Sequence, residues 1–395
     1  MSVITDPEED VAGSYLGLFA VLIVVFGFIA LLVWAGTGPL KKGGEHAGAP
    51  SPLARGPNEA LPPGNAPDMA GAPSNGRELA ASTLIARISF GSGIDQERPL
   101  PILSAVLARK PQAFIIVGDA VRASVEEPGT GASVTSPLLI AAAYGTLETH
   151  TAFKAFRQGV PILGTWGAHD YGQPGAGRSF SYRTASKEAF LQFYGLSEGS
   201  ERARREGVYG VYVYGPEGSR VQVILLDTNS FRDNAHALLG EAQWAWLEQQ
   251  LIAAADVRLL VSPIPVLAES SAGDRWAALP VERAHLLEVL RRTDAKNVVI
   301  LSGNGEAGAI YKDEKDLSYP IFEIASAGLS APASGGAPAA DPMRIDQAYT
   351  DENFGAIDID WQARSVNLEL RDKSGNLIRG VSAAIVPDEE PPVVQ

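Results

Sequence analysis

The residues best placed to do chemistry lie in GTWGAHDYG, residues 164–172, where His169 and Asp170 stand side by side in a polar turn after an apolar run. An imidazole near neutral pH can give or take a proton, and a neighbouring carboxylate can orient it. Other polar groups end similar apolar runs: Gly91–Gly93, Gly118-Asp119-Ala120, Asp227, and Gly303-Asn304-Gly305-Glu306. Metal-assisted hydrolysis draws ligands from several such ends at once, with a carboxylate bridging two cations ~3.5–4 Å apart. The order G-D, then H-D, then G-N-G-E is of that kind. Yet Gly167 and Ala168, directly before the His-Asp pair, carry no ligand atom. Of five histidines (His46, His150, His169, His236 and His285), only His169 occupies such a position, and the chain has no cysteine. Zinc-thiolate sites and thiol nucleophiles are thereby excluded.

Each candidate also has a plain structural reading. Asp119 can accept backbone N–H groups in the turn after its strand, and His169 can stabilise its own turn. Asp170 can orient His169 or bond the loop backbone, and the residues do not choose between them. Asp227 and Arg232 read as a structural pair across a turn, and Trp166 as core. A single Mg²⁺ or Ca²⁺ held by oxygens of Asp119, Asn304 and Glu306 is chemically possible.

Short apolar runs alternating with amphipathic stretches must position these turns. TLIARISF, AFIIVGD, VPILGTW, VQVILLD, VRLLVS and NVVILSG read as strands. PILSAVLARK, SKEAFLQFYG, LGEAQWAWLEQQLIAA and PVERAHLLEVLRRT read as helices, with Leu239, Gln243, Trp246 and Leu247 on one face. Strand-helix repetition predicts an α/β domain with its chemistry at the C-terminal strand ends. FGAIDIDWQ, SVNLELRD and IRGVSAAIV alternate with period two and predict antiparallel strands closing the sheet. Residues 331–348 are expected to form a long loop before that closure.

In ordered blocks the domain resembles the PhoD-like alkaline phosphatases of the calcineurin-like metallophosphatase superfamily, over essentially all of residues 82–387. RISFGSG is similar to the family's R-I-x-F-G-S-C, AFIIVGDA to its strand ending in G-D-N, and VPILGTWGAHDYG to P-x-x-x-x-W-D-D-H-D-Y-G. VQVILLDTNSFR, LGEAQWAWLEQQL, VRLLVSPIPV, RWAALPVERAHLL, NVVILSGNGE and YPIFEIASAGLS follow in order. The resemblance implies a four-layer α/β/β/α sandwich with a binuclear metal cluster at the strand ends. The departures fall on that cluster. The family's ligand Cys is Gly93 here, the Asn after Asp119 is Ala120, and the two Asp before the His-Asp pair are Gly167 and Ala168. The following Asn-Asp is replaced by Pro174 and Gly175, and the Arg of L-D-T-R by Asn229. In the late S-G-D-x-H motif, Asp is Asn304 and the ligand His is Glu306. The expectation is a pseudoenzyme with His169 and Asp170 as vestiges and no metal or other cofactor. Its rival is a phosphomonoesterase or phosphodiesterase with a rebuilt mononuclear site at Asp119, Asn304 and Glu306.

Residues 15–36, YLGLFAVLIVVFGFIALLVWAG, hold no charge and as a helix would span roughly 33 Å, enough for a bilayer core. The chain is therefore expected to comprise an acidic tail (1–14), a single transmembrane helix (15–36), a Pro/Gly/Ala-rich linker (37–80), the domain (81–387) and a tail (388–395). Asp6, Glu8, Glu9 and Asp10 before the span and Lys41 and Lys42 after it place the domain in the cytoplasm by the positive-inside rule. A net charge of −14 with no dense basic patch argues against nucleic acid as partner. The densest basic cluster, Arg202, Arg204 and Arg205, is flanked by Glu201 and Glu206. The expected partners are the membrane, through residues 15–36, and other membrane proteins.

Overall fold

The computed structural model describes residues 79–387 except 234–235, 271–272, 304–306 and 333–337. The expected span 15–36, both tails and nearly all of the linker lie outside the described residues. Among the described residues no helix is long and apolar enough to cross a membrane.

The strands are β1 (Arg87–Gly91), β2 (Ala113–Val117), β3 (Ser124–Glu126), β4 (Ser133–Thr135), β5 (Ile162–Thr165), β6 (Gly210–Tyr214), β7 (Val221–Leu225) and β8 (Val257–Ser262). They continue with β9 (Val298–Ser302), β10 (Gly308–Asp313), β11 (Ile321–Ala325), β12 (Arg344–Tyr349), β13 (Asn353–Asp360), β14 (Ser365–Asp372) and β15 (Leu377–Ala384). The α-helices are α1 (Ile102–Ala108), α2 (Pro137–Thr149), α3 (Thr151–Gly159), α4 (Ala168–Tyr171), α5 (Arg183–Tyr194), α6 (Glu201–Arg204), α7 (Gly240–Ile252) and α8 (Pro280–Arg292).

Two sheets carry the domain. One runs β15-β14-β13-β1-β2-β5 and the other β12-β10-β11-β9-β8-β7-β6, while β3 and β4 form a separate hairpin. The strands that end in the candidate turns are parallel: β1 with β2 and β2 with β5 in the first sheet, and β7 with β8 and β8 with β9 in the second. β2 shows why a continuous apolar run belongs there. Ile115 and Val117 enter a cluster shared by both sheets, whereas Phe114 and Ile116 face a cluster with the helices. Both faces are covered, so AFIIV needs no polar alternation. β14 alternates instead, burying Val366, Leu368 and Leu370 in the inter-sheet cluster. A third cluster joins Ile224, Leu260 and Ile300 of the second sheet to Leu247 and Leu286 of α7 and α8.

One expectation is corrected. Residues 331–348 are not wholly loop, because Arg344–Tyr349 pairs with β10 as an edge strand. The C-terminal runs form the expected antiparallel strands, β13, β14 and β15, which join the first sheet through β1. The helices over 137–159 were not read from the sequence. Their start is nonetheless signalled there: Ser136 accepts from the Leu139 N–H at 3.2 Å, and Pro137 fills the first turn.

Candidate functional site

The two sheets meet at their C-terminal strand ends, where the candidate turns lie. Ser92 donates its hydroxyl to the Ser326 carbonyl (2.9 Å), and Thr165 Oγ1 donates to the Leu226 carbonyl (2.7 Å). A Cβ on Gly303 would fall 2.6 Å from Ser92 Oγ, so the turn after β9 is pressed against the turn after β1.

The turns after β2 and β5 are closer still. Gly118 (φ +101) would place a Cβ 2.8 Å from the Gly167 nitrogen, and a Cβ on Gly167 would lie 2.2 Å from Asp119 Oδ1. The Asp119 carboxylate thus occupies the space that a side chain at 167 would take. Asp119 is itself in the left-handed region (φ +51), is 4% exposed, and accepts from the His169 N–H at 3.0 Å. Its carboxylate thus accepts a backbone N–H from the turn after β5, not from the turn after its own strand.

Asp170 is fully buried. One carboxylate oxygen accepts from the Val121 N–H (2.8 Å) and the other from the Gly167 N–H (2.9 Å), so it ties the two turns together. Both oxygens serve backbone, which settles the choice left open between orienting His169 and bonding the loop. Burial, then the nearby Asp119 charge, pushes the Asp170 carboxyl well above the usual carboxylate range despite these N–H donors. His169 is half-buried, and its Nδ1 is buried without a hydrogen-bond partner.

The remaining expected positions have joined the scaffold. Gly93 has φ +73, and a Cβ there would sit 2.9 Å from the Gly328 nitrogen. Ala120 is 1% exposed within the apolar cluster under the helices. Asn229 is buried, with its side-chain amide 3.4 Å from the Trp166 carbonyl. Asp227 accepts from the N–H groups of Val208, Asn229 and Ser230 and from the Ser230 hydroxyl. It does not pair with Arg232, which forms a two-pronged contact with Asp274, both distances 2.7 Å. Trp166 is core as expected, 1% exposed and edge-on to Tyr171 and Phe190. Asn304 and Glu306 lie outside the described residues, and among the described residues no group of three or more His, Cys, Asp and Glu is placed to hold a metal.

The structure brings two basic residues to these turns that the sequence does not place there. Arg183 and Lys187, one turn apart on α5, border a recess beside Trp166. Their i,i+4 spacing is the available signal, but nothing in the sequence ties α5 to the turn after β5. Conversely, the basic cluster at 202–205 is no surface patch: Arg202 is 1% exposed and donates to the carbonyls of Val208 (2.6 Å) and Gly164 (2.8 Å).

The family model of the PhoD-like phosphatases matches residues 141–370. Among solved structures, one described as the structure of PhoD aligns with TM-score 0.58 at 16% identity, covering 77% of this chain and 69% of that one. Another, described as GAP50, the anchor in the inner membrane complex of Plasmodium, aligns with TM-score 0.52 at 13% identity, covering 78% of this chain and 91% of that one. No curated protein matches the sequence.

Proposed function

Because the chain belongs to the PhoD-like phosphatase family, we propose that it is a member that has exchanged hydrolysis for binding, a membrane-anchored, non-catalytic accessory or scaffold subunit of a membrane complex. The observation that carries this reading is the Asp119 carboxylate lying where a side chain at Gly167 would be. A lost ligand in an otherwise conserved cluster would leave a gap. Here the neighbouring carboxylate fills it and caps the loop, so the turn is packed for stability without that ligand. Asp170 supports the same view, since both of its oxygens are committed to backbone N–H groups. On this reading the described residues do not fit a binuclear metal site: Gly93, Ala120, Gly167 and Ala168 offer no ligand atom, and Asp119 and Asp170 hold the loop. The fold is compatible with an anchoring role, since a protein described as the anchor of an inner membrane complex shares it. The uncharged segment 15–36 supports placement in the cell membrane, with the domain cytoplasmic by flanking charge.

The test uses the full chain extracted in mild detergent. Elemental mass spectrometry after dialysis against trace divalent ions is expected to find substoichiometric metal. Chromogenic phosphomonoester and phosphodiester substrates are expected to show no metal-dependent turnover. Tightly held metal with turnover abolished by Asp119→Ala would overturn the reading in favour of a rebuilt mononuclear hydrolase. Co-purification of a membrane protein at fixed stoichiometry is the expected positive result.

A further inference from the structure

Where β9 begins, at the opposite end of that strand from Gly303, lies a recess of about 270 Å³. Val299 of β9, Phe322 of β11, Val366 of β14 and Ala383 of β15 line it, and all four belong to or pack against the inter-sheet cluster. Val386, 43% exposed, lines it as well. The volume is an order of magnitude above the roughly 10–15 Å³ that admits one water, and water held there would lie against apolar side chains of the core.

The polar groups of the lining are already partnered. Lys312, its one charged side chain, pairs with Glu314, and its ammonium stands 5.5 Å from the centre of the Phe322 ring. The Tyr319 hydroxyl donates to the Ala295 carbonyl at 2.5 Å. Asn297 donates its amide to the carbonyls of Asp256 (2.9 Å) and Val386 (2.8 Å) and accepts from the Val386 N–H (2.8 Å). Ser382 is the remaining polar side chain in the lining. The recess therefore suits an apolar occupant rather than an ion. Asn297 also holds both backbone groups of Val386, which fixes the point at which the chain leaves the domain.

From there the chain runs on through Pro387 to Asp388-Glu389-Glu390-Pro391-Pro392-Val393-Val394-Gln395, and residues 388–395 lie outside the described residues. We propose that this segment turns back on the domain and that Pro391–Val394 occupy the recess, covering its apolar lining. Three features of the sequence fit that occupant. Pro387 suits the second position of a reversing turn. The three acids between the turn and the apolar run stay in water. Pro391 and Pro392 carry no N–H, so they enter an apolar space without leaving donors unpaired, and their fixed φ lowers the entropy lost on docking. The linker is the other Pro-rich stretch, but it reaches the domain elsewhere. The Gly215 N–H, just past β6, donates to the Ala81 carbonyl at 2.7 Å, and β6 is an edge strand separated from β9 by β7 and β8.

Because the chain contains no cysteine, disulfide trapping in the full chain in detergent tests the assignment. Ser382→Cys, on an exposed residue of the lining, is combined with Gln395→Cys, one residue beyond the apolar run. Mild copper-catalysed oxidation is expected to form an intramolecular disulfide, identified by mass spectrometry of the joined peptides. Adding Val393→Asp and Val394→Asp, which replaces the docked side chains with charges, is expected to slow the reaction about tenfold. Ser374→Cys with Gln395→Cys supplies the rate for a thiol outside the recess, and the Asp pair should leave that rate unchanged. A rate for the Ser382 pair that ignores the Asp substitutions would mean that the segment is merely tethered, and would overturn the proposal. A disulfide formed chiefly between two chains would place the segment on a second copy and overturn it equally. No arm reads metal or turnover, so the outcome stands apart from the reading of the domain as non-catalytic.

Discussion

At the scale of single residues, the turn after β5 is held by two carboxylates with different consequences. Gly167 has no room for a side chain, because its Cβ would fall 2.2 Å from Asp119 Oδ1. Gly167→Ala is therefore expected to destabilise the domain by about 1–3 kcal/mol, the usual cost of overpacking. Truncating the obstruction should relieve part of that cost. The double variant Gly167→Ala with Asp119→Ala is expected to lose less than the sum of the single losses, by roughly 0.5–3 kcal/mol in a denaturant cycle. Strict additivity would mean that Asp119 does not fill the space. Asp170 makes a prediction in pH. Its folded-state pKa is raised, first by burial and then by Asp119, so the folded chain keeps a proton there that the unfolded chain has already released. The stability this group contributes is full below the ordinary carboxylate range, about pH 4, and is lost as pH rises toward the folded-state value. Asp170→Asn cannot titrate. The stability of the wild type relative to this variant should shrink as urea melts are moved from about pH 4 to pH 7, and a constant or growing gap would contradict the burial argument.

At the scale of elements, the block RWAALPVERAHLL has a physical reason to keep its Glu-Arg pair. Glu282, in the first turn of α8, accepts from the N–H groups of Leu238 (2.9 Å) and Leu239 (3.1 Å) and from the Trp244 indole (3.3 Å). It thereby fastens the start of α7 to α8. Glu282→Ala would leave these buried donors unpaired, and a loss of about 2–4 kcal/mol in denaturant melts is expected. A change within about 0.5 kcal/mol, as at ordinary surface sites, would show that water satisfies the donors equally well. The parallel strands were legible because they are buried on both faces, as AFIIV and NVVILS illustrate, and α7 because its apolar stripe repeats at helical period. β6 and β10–β12 were not read as strands. β12 is an edge strand with no fully buried residue, RIDQAY, so it carries no apolar alternation to be seen. The site was legible in part. Trp166 as core follows from residue type and position, whereas the bond from Asp119 to the turn after β5 joins segments 50 residues apart and does not. The partner of Arg232 does not, because Asp274 lies far along the chain while Asp227 lies close in sequence. The recess at Arg183 and Lys187 was invisible for the same reason: it depends on α5 folding back over the turn after β5.

At the scale of the whole molecule, the proposed anchor belongs to a strongly acidic chain, net charge −14. Anionic lipid would repel such a chain rather than draw it down, so the proposed attachment would rest on residues 15–36. Removing them should release the protein into the supernatant and leave the thermal melt of the domain unchanged, whereas the full chain should stay with membranes through high salt and alkaline carbonate. Extraction of the full chain by carbonate would rule out a spanning segment. Orientation can be read cleanly because the chain contains no cysteine. Ser374 lies exposed in the turn between β14 and β15, so Ser374→Cys introduces a single thiol on the domain. Lys41 and Lys42 follow the proposed span and the charged residues before it are all acidic, so the positive-inside rule would place the domain on the cytoplasmic side. In intact cells a membrane-impermeant maleimide should then fail to label this variant, and permeabilisation should expose it. Labelling without permeabilisation would invert the topology and move the search for the partner to the opposite face of the membrane.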